Sequence, residues 1–162
     1  MPRFFEKISY DQFCKDICSD KGLYDYFKLP KRSTKYSAGY DFEALFGFVL
    51  KPKEVKKIPL GIRVCMNPEE VFMIFVRSSQ GFKYNVRMCN QVGIIDCDYY
   101  NNKENEGHIW IKLENHGEKD YVVEQGDKIC QGIFFNYLLV DNEEKIENLR
   151  TSGLGSTNEK GD

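Results

Sequence analysis

The stretch Asn90-Gln-Val-Gly-Ile-Ile-Asp96-Cys-Asp-Tyr99-Tyr combines a β-branched run with acidic and aromatic residues at its end. Its β-branched run predicts a strand. Gly93 inside that run indicates a bulge, or a close approach of the backbone to another group. A carboxylate at the end of an apolar strand is costly to bury without a partner, which makes Asp96 a candidate functional residue. The alternative is an Asp that caps a turn before a hairpin, and this stretch alone does not separate the two.

Short strand-like segments separated by Gly, Pro, Asn and Asp surround this stretch. They cover residues 39–50, 57–65, 71–76, 84–96, 108–113, 121–124 and 129–140. Many short strands with closely spaced turns predict an all-β fold, a jelly-roll-like barrel or sandwich.

Two segments outside the strands complete the predicted organisation. Apolar residues at roughly helical spacing predict a short helical N-terminal extension over residues 1–28, with a helix that starts near Ser9. A β core over 29–147 follows. The last segment, 148–162, is rich in Gly, Ser and Thr, and we expect a flexible C-terminal arm because it has too little apolar surface to fold alone.

Composition excludes several classes of function. The 162 residues carry 23 Lys and Arg against 25 Asp and Glu, a net charge of −2, so we expect no nucleic-acid or anionic-membrane partner. The longest apolar run, 132–140, is interrupted by Asn136 and is too short to span a bilayer. The six cysteines lack the His and Cys spacing of a zinc site, and the N-terminus lacks the apolar core of a signal peptide. These features predict a cytoplasmic protein with reduced thiols.

Four further segments carry side chains suited to phosphate chemistry. They contain Asp41 after a small-residue turn, Arg77-Ser78-Ser79, Gln131 in a strand, and Arg150 before a Gly/Ser/Thr run. Arg offers a planar fork of donors and Ser a hydroxyl, which together suit phosphate oxygens. Each segment also has an ordinary structural explanation, as a turn, a loop or a tail. The run after Arg150 lacks the Gly-Lys-Ser/Thr of a P-loop, so that class of nucleotide triphosphatase is excluded.

Taken together, in this order, the segments resemble the five motifs of the trimeric dUTPase family. The matching residues are Ala38-Gly-Tyr-Asp41, Arg77-Ser-Ser79, Asn90 with residues 92–99, residues 126–131, and Arg150 with residues 153–157. The resemblance spans about residues 28–157. It implies a jelly-roll subunit in a homotrimer, with active sites between subunits. It also implies Mg²⁺-dependent hydrolysis of dUTP to dUMP and pyrophosphate, which keeps uracil out of DNA and supplies dUMP for thymidylate synthesis.

The resemblance assigns the reacting and nucleoside-binding residues. Asp96 is expected to activate the water that attacks the α-phosphorus. Tyr99 is expected to lie against the deoxyribose and leave no room for a 2′-hydroxyl. The uracil-binding residues implied are Asn90, Gly93 and Ile95, with Leu154 covering the base.

The resemblance also assigns the phosphate site. The residues implied are Arg77, Ser78, Ser79, Gln131, Arg150, Ser156 and Thr157, the last three on an arm that closes over another subunit's site. Mg²⁺ is expected to sit on the triphosphate without a direct protein ligand, and Asp41 and Gln131 to act through water.

Three features depart from the family pattern and leave alternatives open. Leu154 replaces the usual Phe, and Ser152-Gly153 replaces Gly-Gly. An extra polar loop at 101–107 is either solvated or a docking point for a protein partner. The alternatives are therefore a dUTPase-fold regulatory protein whose nucleotide binding gates a partner, or a relative of the dCTP deaminases.

Overall fold

The computed structural model describes residues 2–146 and 150. Within this part of the chain there are twelve strands, three short helices and a 3₁₀ turn over Cys97–Tyr99. The strands are β1 (Phe4–Lys7), β2 (Lys31–Arg32), β3 (Tyr40–Glu43), β4 (Phe48–Leu50), β5 (Val55–Pro59), β6 (Ile62–Cys65), β7 (Glu70–Phe75), β8 (Val86–Met88), β9 (Gly93–Asp96), β10 (Trp110–Asn115), β11 (Tyr121–Val123) and β12 (Lys128–Asn136). The helices are α1 (Tyr10–Asp16), α2 (Lys21–Tyr26) and α3 (Ser78–Tyr84).

The strands form one large sheet and three smaller ones. The large sheet has the order β2-β3-β12-β7-β9, and all of its pairings are antiparallel. A three-stranded sheet has the order β5-β10-β8, and the remaining pairs are β1-β6 and β11-β4. Because β12 lies between β3 and β7, distant segments pair through crossovers, as in Greek-key and jelly-roll folds. The predicted all-β, jelly-roll-like class is confirmed.

The two faces of the five-stranded sheet differ in exposure. Phe72 and Ile74 of β7 are buried in a core shared with the smaller sheets, because alternate residues of a strand point to the same side. The other side, which we call the outer face, carries apolar side chains that are only partly covered. Ile94 remains 53% exposed and Phe135 41% exposed. The outer face consists of Met73, Phe75, Ile94, Ile133 and Phe135.

The N-terminal segment is part of the core. Helix α1 starts where predicted, with the Ser9 hydroxyl accepting a hydrogen bond from the Gln12 N–H at 3.1 Å. Ile8 and Phe13 are fully buried. Residues before Ser9, where helical spacing was predicted, instead form β1, since pairing with β6 satisfies their backbone groups. The division of the chain into extension, core and arm stays a prediction.

The extra loop at 101–107 is folded and partly buried, and whether it docks a partner stays a prediction. Asn102 is 7% exposed. The Glu106 carboxylate accepts from both the N–H and the hydroxyl of Ser9, at 2.8 and 2.6 Å. Arg63 lies 3.3 Å from the same carboxylate. The loop is therefore attached to the N-terminal helix by charged hydrogen bonds.

The apolar periodicity of the sequence did not predict α3, and several predicted strand ends differ from those in the structure. Residues 78–83 have no apolar stripe, and Phe82 is 93% exposed, so nothing in the pattern indicates a helix. The predicted strand at 84–96 is β8 and β9 separated by a turn. The predicted strand at 129–140 ends at Asn136, which leaves Leu138, Leu139 and Val140 exposed.

Two further structural predictions concern the membrane and the cysteines. The part of the chain that the structure describes contains no helix long and apolar enough to cross a membrane. All six cysteines are free thiols. Burial raises the pKa of the Cys65 and Cys130 thiols, which keeps both protonated at neutral pH.

His108 makes the stability of this fold depend on pH. Its fully buried ring accepts a hydrogen bond from the Gly61 N–H through Nε2 at 3.0 Å. A backbone N–H can only donate, so the proton lies on Nδ1, 2.6 Å from the Asp16 carboxylate of α1. Burial lowers the pKa of His108, and this outweighs the opposing effect of Asp16. The imidazole is therefore neutral in the folded protein.

We expect acidification to destabilise the wild type more than a His108→Gln variant. Because folding lowers the pKa of His108, the unfolded chain binds a proton more readily than the folded protein. The free energy of unfolding is therefore highest above the unfolded pKa of about 6.5, and it decreases as the pH falls below that value. Urea unfolding at pH 7.5 and pH 5, at one protein concentration, measures the difference. His116→Gln is the control, since the His116 side chain is 38% exposed. Equal losses of stability in wild type and His108→Gln contradict the prediction.

Candidate active site

A cluster of charged and polar side chains surrounds Asp41 on β3. The Asp41 carboxylate lies 2.9 Å from Arg77 Nε and 3.1 Å from Lys128 Nζ, and it accepts a hydrogen bond from the Ser33 hydroxyl. Asp41 is 7% exposed. Burial alone raises its pKa, but the hydrogen bonds from Ser33 and Lys128 and the charge of Arg77 outweigh it, so the pKa of Asp41 is lowered. Asp41 is therefore an ionised carboxylate held by two cations.

Gln131 on β12 lies directly opposite Asp41 in the sheet register. Its amide nitrogen points toward the Val76 carbonyl oxygen at 3.5 Å, at the long limit of a hydrogen bond. Gly39 leaves space for this side chain, because a Cβ there would stand 2.4 Å from the Gln131 amide oxygen. We call Ser33, Asp41, Arg77, Lys128 and Gln131 the Asp41 cluster.

Helix α3 follows Arg77 and presents the two serines. Gln80 anchors the helix, since its amide oxygen accepts from the Arg77 N–H at 2.7 Å and its amide nitrogen donates to the Ile129 carbonyl at 2.7 Å. Gln80 is 1% exposed, so this anchor fixes the turn between β7 and α3. Ser78 is exposed and Ser79 half-buried at the start of the helix, beside Arg77.

A second group of residues lies where β9 ends. Arg150 Nη2 donates to the Asp96 carboxylate at 2.7 Å, and Arg150 Nε donates to Asp98 at 3.1 Å. The same guanidinium lies 5.8 Å from the centre of the Tyr99 ring. The Asp96 side chain is 51% exposed, so it also faces solvent. We call Asp96, Asp98, Tyr99 and Arg150 the Asp96 cluster.

The predicted uracil-binding residues occupy the same strand and the turn before it. Asn90 is exposed in the turn between β8 and β9. Gly93 and Ile95 pair with Ile74 and Phe72 of β7. A Cβ at Gly93 would lie 3.3 Å from the Ile74 side chain, so close packing inside the sheet already favours glycine there.

The two clusters lie at opposite corners of the five-stranded sheet. Asp41 shares a register row with Gln131 and Phe75, whereas Asp96 shares one with Val71. Four residues along β7 and three strand spacings across the sheet place Asp41 and Asp96 about 20 Å apart. One chain therefore brings together Asp41, Arg77 and Gln131, and separately Asp96, Tyr99 and Arg150, but does not join the two sets.

Comparison with known proteins identifies the family. A model of the dUTPase family matches residues 25–158. The chain belongs to the dUTPase family. It is 44% identical over 132 residues to the deoxyuridine 5′-triphosphate nucleotidohydrolase of Lactococcus lactis, covering 80% of this chain and 87% of that protein. The corresponding protein of Mannheimia succiniciproducens is 36% identical over 118 residues, covering 71% and 74%.

A solved structure agrees with this assignment. The crystal structure of the dUTPase from Streptococcus mutans has a TM-score of 0.69 and 35% identity, covering 85% of this chain and 98% of that one. The resemblance predicted from the five motifs is confirmed, and so is the prediction of an enzyme. These matches favour a dUTPase over a relative of the dCTP deaminases.

The residues that could hold a metal ion through water are Asp41 and Gln131 of the Asp41 cluster. Residues 2–146 and 150 contain no group of three or more His, Cys, Asp or Glu side chains arranged to hold a metal. Both oxygens of Asp41 are engaged by cations and Ser33. Because both oxygens of Asp41 already have partners, Asp41 and Gln131 are better suited to contact a water molecule bound to a metal than to coordinate the metal directly.

Part of the predicted dUTPase site lies outside the described residues. These are Leu154, Ser156 and Thr157. Other residues were not predicted from the sequence. Ser33 and Lys128 complete the Asp41 cluster and Gln80 anchors α3, but the sequence around each of them does not indicate these contacts.

Proposed function

We propose that the protein hydrolyses dUTP to dUMP and pyrophosphate at sites shared between copies of a homotrimer. The observation that carries the proposal is the separation of the Asp41 and Asp96 clusters by about 20 Å within one sheet. A base and a phosphate site so far apart cannot act on one nucleotide. They meet only if the Asp96 cluster of one copy faces the Asp41 cluster of another.

The outer face supports an assembly of this kind. Its partly exposed apolar side chains lie between the two clusters, and three apolar residues follow β12, with Leu138 96% exposed. Contiguous exposed apolar surface marks an interface. A contact that joins different patches of identical chains closes into a ring when the rotation between copies is right, and a ring of three copies has three equivalent sites.

Asp96 supplies the base in the proposed reaction. Its carboxylate takes a proton from water, the water oxygen bonds to the α-phosphorus, and the bond from that phosphorus to the bridging oxygen breaks. The products are dUMP and pyrophosphate, which leaves with the bond's electron pair. Within one chain the Asp96 carboxylate forms an ion pair with Arg150, so it can act as a base only when the guanidinium moves to another anion. The phosphates of dUTP are that anion in this proposal.

The nucleoside is read by Asn90, the backbone at Gly93 and Ile95, and the Tyr99 ring. Polar groups that hydrogen-bond the uracil edge are left unpaired by a wrong base, which penalises it more than an apolar pocket could. Tyr99 rejects a 2′-hydroxyl by its position against the sugar. Leu154 covers the base without the π face that a Phe offers.

The triphosphate lies on the Asp41 cluster and the start of α3. Ser78 and Ser79 donate hydroxyl hydrogen bonds, and Arg77 supplies charge. The arm, through Arg150, Ser156 and Thr157, covers the β- and γ-phosphates and excludes water. Asp41 and Gln131 would hold a triphosphate-bound Mg²⁺ through water, and that ion would make the α-phosphorus more electrophilic. Hydrolysis in the cytoplasm keeps uracil out of DNA and provides dUMP for thymidylate synthesis.

Pyrophosphate release from dUTP, dCTP, dTTP and UTP with Mg²⁺ tests the proposed function. We expect dUTP to be hydrolysed far faster than the other three nucleotides, since only uracil satisfies the edge-reading groups and deoxyribose fits best against Tyr99. Removal of Mg²⁺ with a chelator should reduce the rate. Binding of dUTP without turnover contradicts the proposal and favours the regulatory alternative, in which a protein partner docks at the loop over 101–107.

A further inference from the structure

The hydroxyl of Tyr99 is held by two hydrogen bonds from a region with no assigned function. It donates to the His108 carbonyl at 2.9 Å and accepts from the Asn105 amide nitrogen at 2.9 Å. Tyr99 is 5% exposed. A ring fixed both at Cα and at its hydroxyl cannot tilt without breaking one of these contacts.

Asn105 is itself fixed in a single orientation. Its amide oxygen accepts from the Gly107 N–H at 3.0 Å and from the Asn102 amide at 2.8 Å. Because a backbone N–H can only donate, the amide oxygen must face Gly107 and the amide nitrogen must face Tyr99. Asn102 also donates to the Tyr99 carbonyl at 2.8 Å. The loop therefore holds both the backbone and the side chain of this tyrosine.

The loop fits closely around the tyrosine and is anchored on its far side. A Cβ at Gly107 would lie 2.7 Å from the Tyr99 carbonyl oxygen, and the φ of Gly107 is 86°, so only glycine suits this position. On the other side Glu106 accepts two hydrogen bonds from Ser9. Hydrogen bonds therefore connect Tyr99 through this loop to the start of helix α1.

The tyrosine ring borders the space in front of Asp96. Arg150 marks this space, since its guanidinium contacts Asp96 and lies 5.8 Å from the ring centre. A ligand bound beside Asp96 therefore meets the ring whose tilt Asn105 controls.

We propose that Asn105 is a positioning residue that sets the selectivity of the enzyme for deoxyribose over ribose. The inference rests on the proposed function. Asn105 does not touch the substrate. It holds the Tyr99 hydroxyl so that the ring stays close to C2′, and loss of its donor lets the ring tilt and admit a 2′-hydroxyl.

Asn105→Asp tests this proposal with a minimal change. The variant keeps the oxygen that accepts from Asn102 and Gly107, but replaces the donor to Tyr99 with a second acceptor. The one hydroxyl proton of Tyr99 cannot serve both the new carboxylate and the His108 carbonyl. We expect the ratio of kcat/KM for dUTP to kcat/KM for UTP to fall about 3- to 10-fold, the effect of one hydrogen bond.

Two comparisons separate positioning from general destabilisation. The ratio is measured on one preparation, so the folded fraction cancels. Lys103→Ala, at an exposed site of the same loop, should leave the ratio unchanged. Tyr99→Phe removes the hydroxyl, so adding Asn105→Asp to it should lower the ratio no further.

Each outcome decides the inference. A reduced ratio in Asn105→Asp that is absent from the Tyr99→Phe background supports it. An unchanged ratio, or an equal reduction in both backgrounds, overturns it, even if the melting temperature falls. Failure of the wild type to hydrolyse dUTP contradicts the proposed function instead, and is seen before any variant is compared.

Discussion

Asp96→Asn is expected to lower kcat for dUTP by about 10²–10⁴-fold, the contribution of a general base. The amide has the shape of the carboxylate but cannot take a proton from water. The Asp96 side chain is 51% exposed and lies outside the core, so the fold should be unaffected. Pyrophosphate release gives kcat, and titration with a non-hydrolysable dUTP analogue shows whether binding persists.

Asp98→Asn is the matched control for this variant. Asp98 lies two residues away, has a similarly exposed side chain and contacts the same Arg150 guanidinium. It should change kcat less than about tenfold, because the loss of one exposed ion pair is worth little. If both variants lose activity equally, the effect comes from the position of Arg150, and Asp96 is not the base.

Ser78→Ala is expected to lower kcat by about 10²-fold, the usual loss for one donor aimed at developing charge. Ser78 is exposed at the first position of α3, so its hydroxyl supports no buried contact. The effect should fall on kcat more than on KM if the hydrogen bond strengthens as charge develops on the phosphates.

Ser19→Ala controls for the loss of an exposed serine hydroxyl. Ser19 contributes only its backbone carbonyl to a hydrogen bond from Tyr10, which the substitution retains. Wild-type kinetics are expected for it. If Ser78→Ala also shows wild-type kinetics, the start of α3 does not contribute to the phosphate site.

The fold was predictable where local chemistry and tertiary structure agree. Alternating strands broken by Gly, Pro and Asn gave the β class, and Ser9 marked the start of α1 because its capping contact is local. Helix α3 was not predictable, since its anchor is a hydrogen bond from Gln80 to Ile129, forty-nine residues away. Strand β1 depends in the same way on pairing with β6.

The candidate site was predictable as a set of residues but not as an arrangement. Five ordered motifs indicated Asp41, Arg77 and Asp96, and the structure brings the first two together. The contacts of Asp41 with Ser33 and Lys128 depend on strand register, which sequence spacing does not show. The hydrogen bond that holds Tyr99 comes from a loop whose polar composition did not indicate contacts with the core.

Activity of mixed assemblies tests most directly whether the catalytic site is shared between copies. Asp96→Asn and Ser78→Ala chains are co-expressed with different tags, and assemblies carrying both tags are purified. If each site takes Ser78 from one copy and Asp96 from the next, a trimer that contains both kinds of chain keeps both groups at one of its three sites, about one third of the total. We predict that dUTP turnover recovers to about that fraction of wild type, far above either parent. Activity no higher than the mean of the two parents would contradict a shared site.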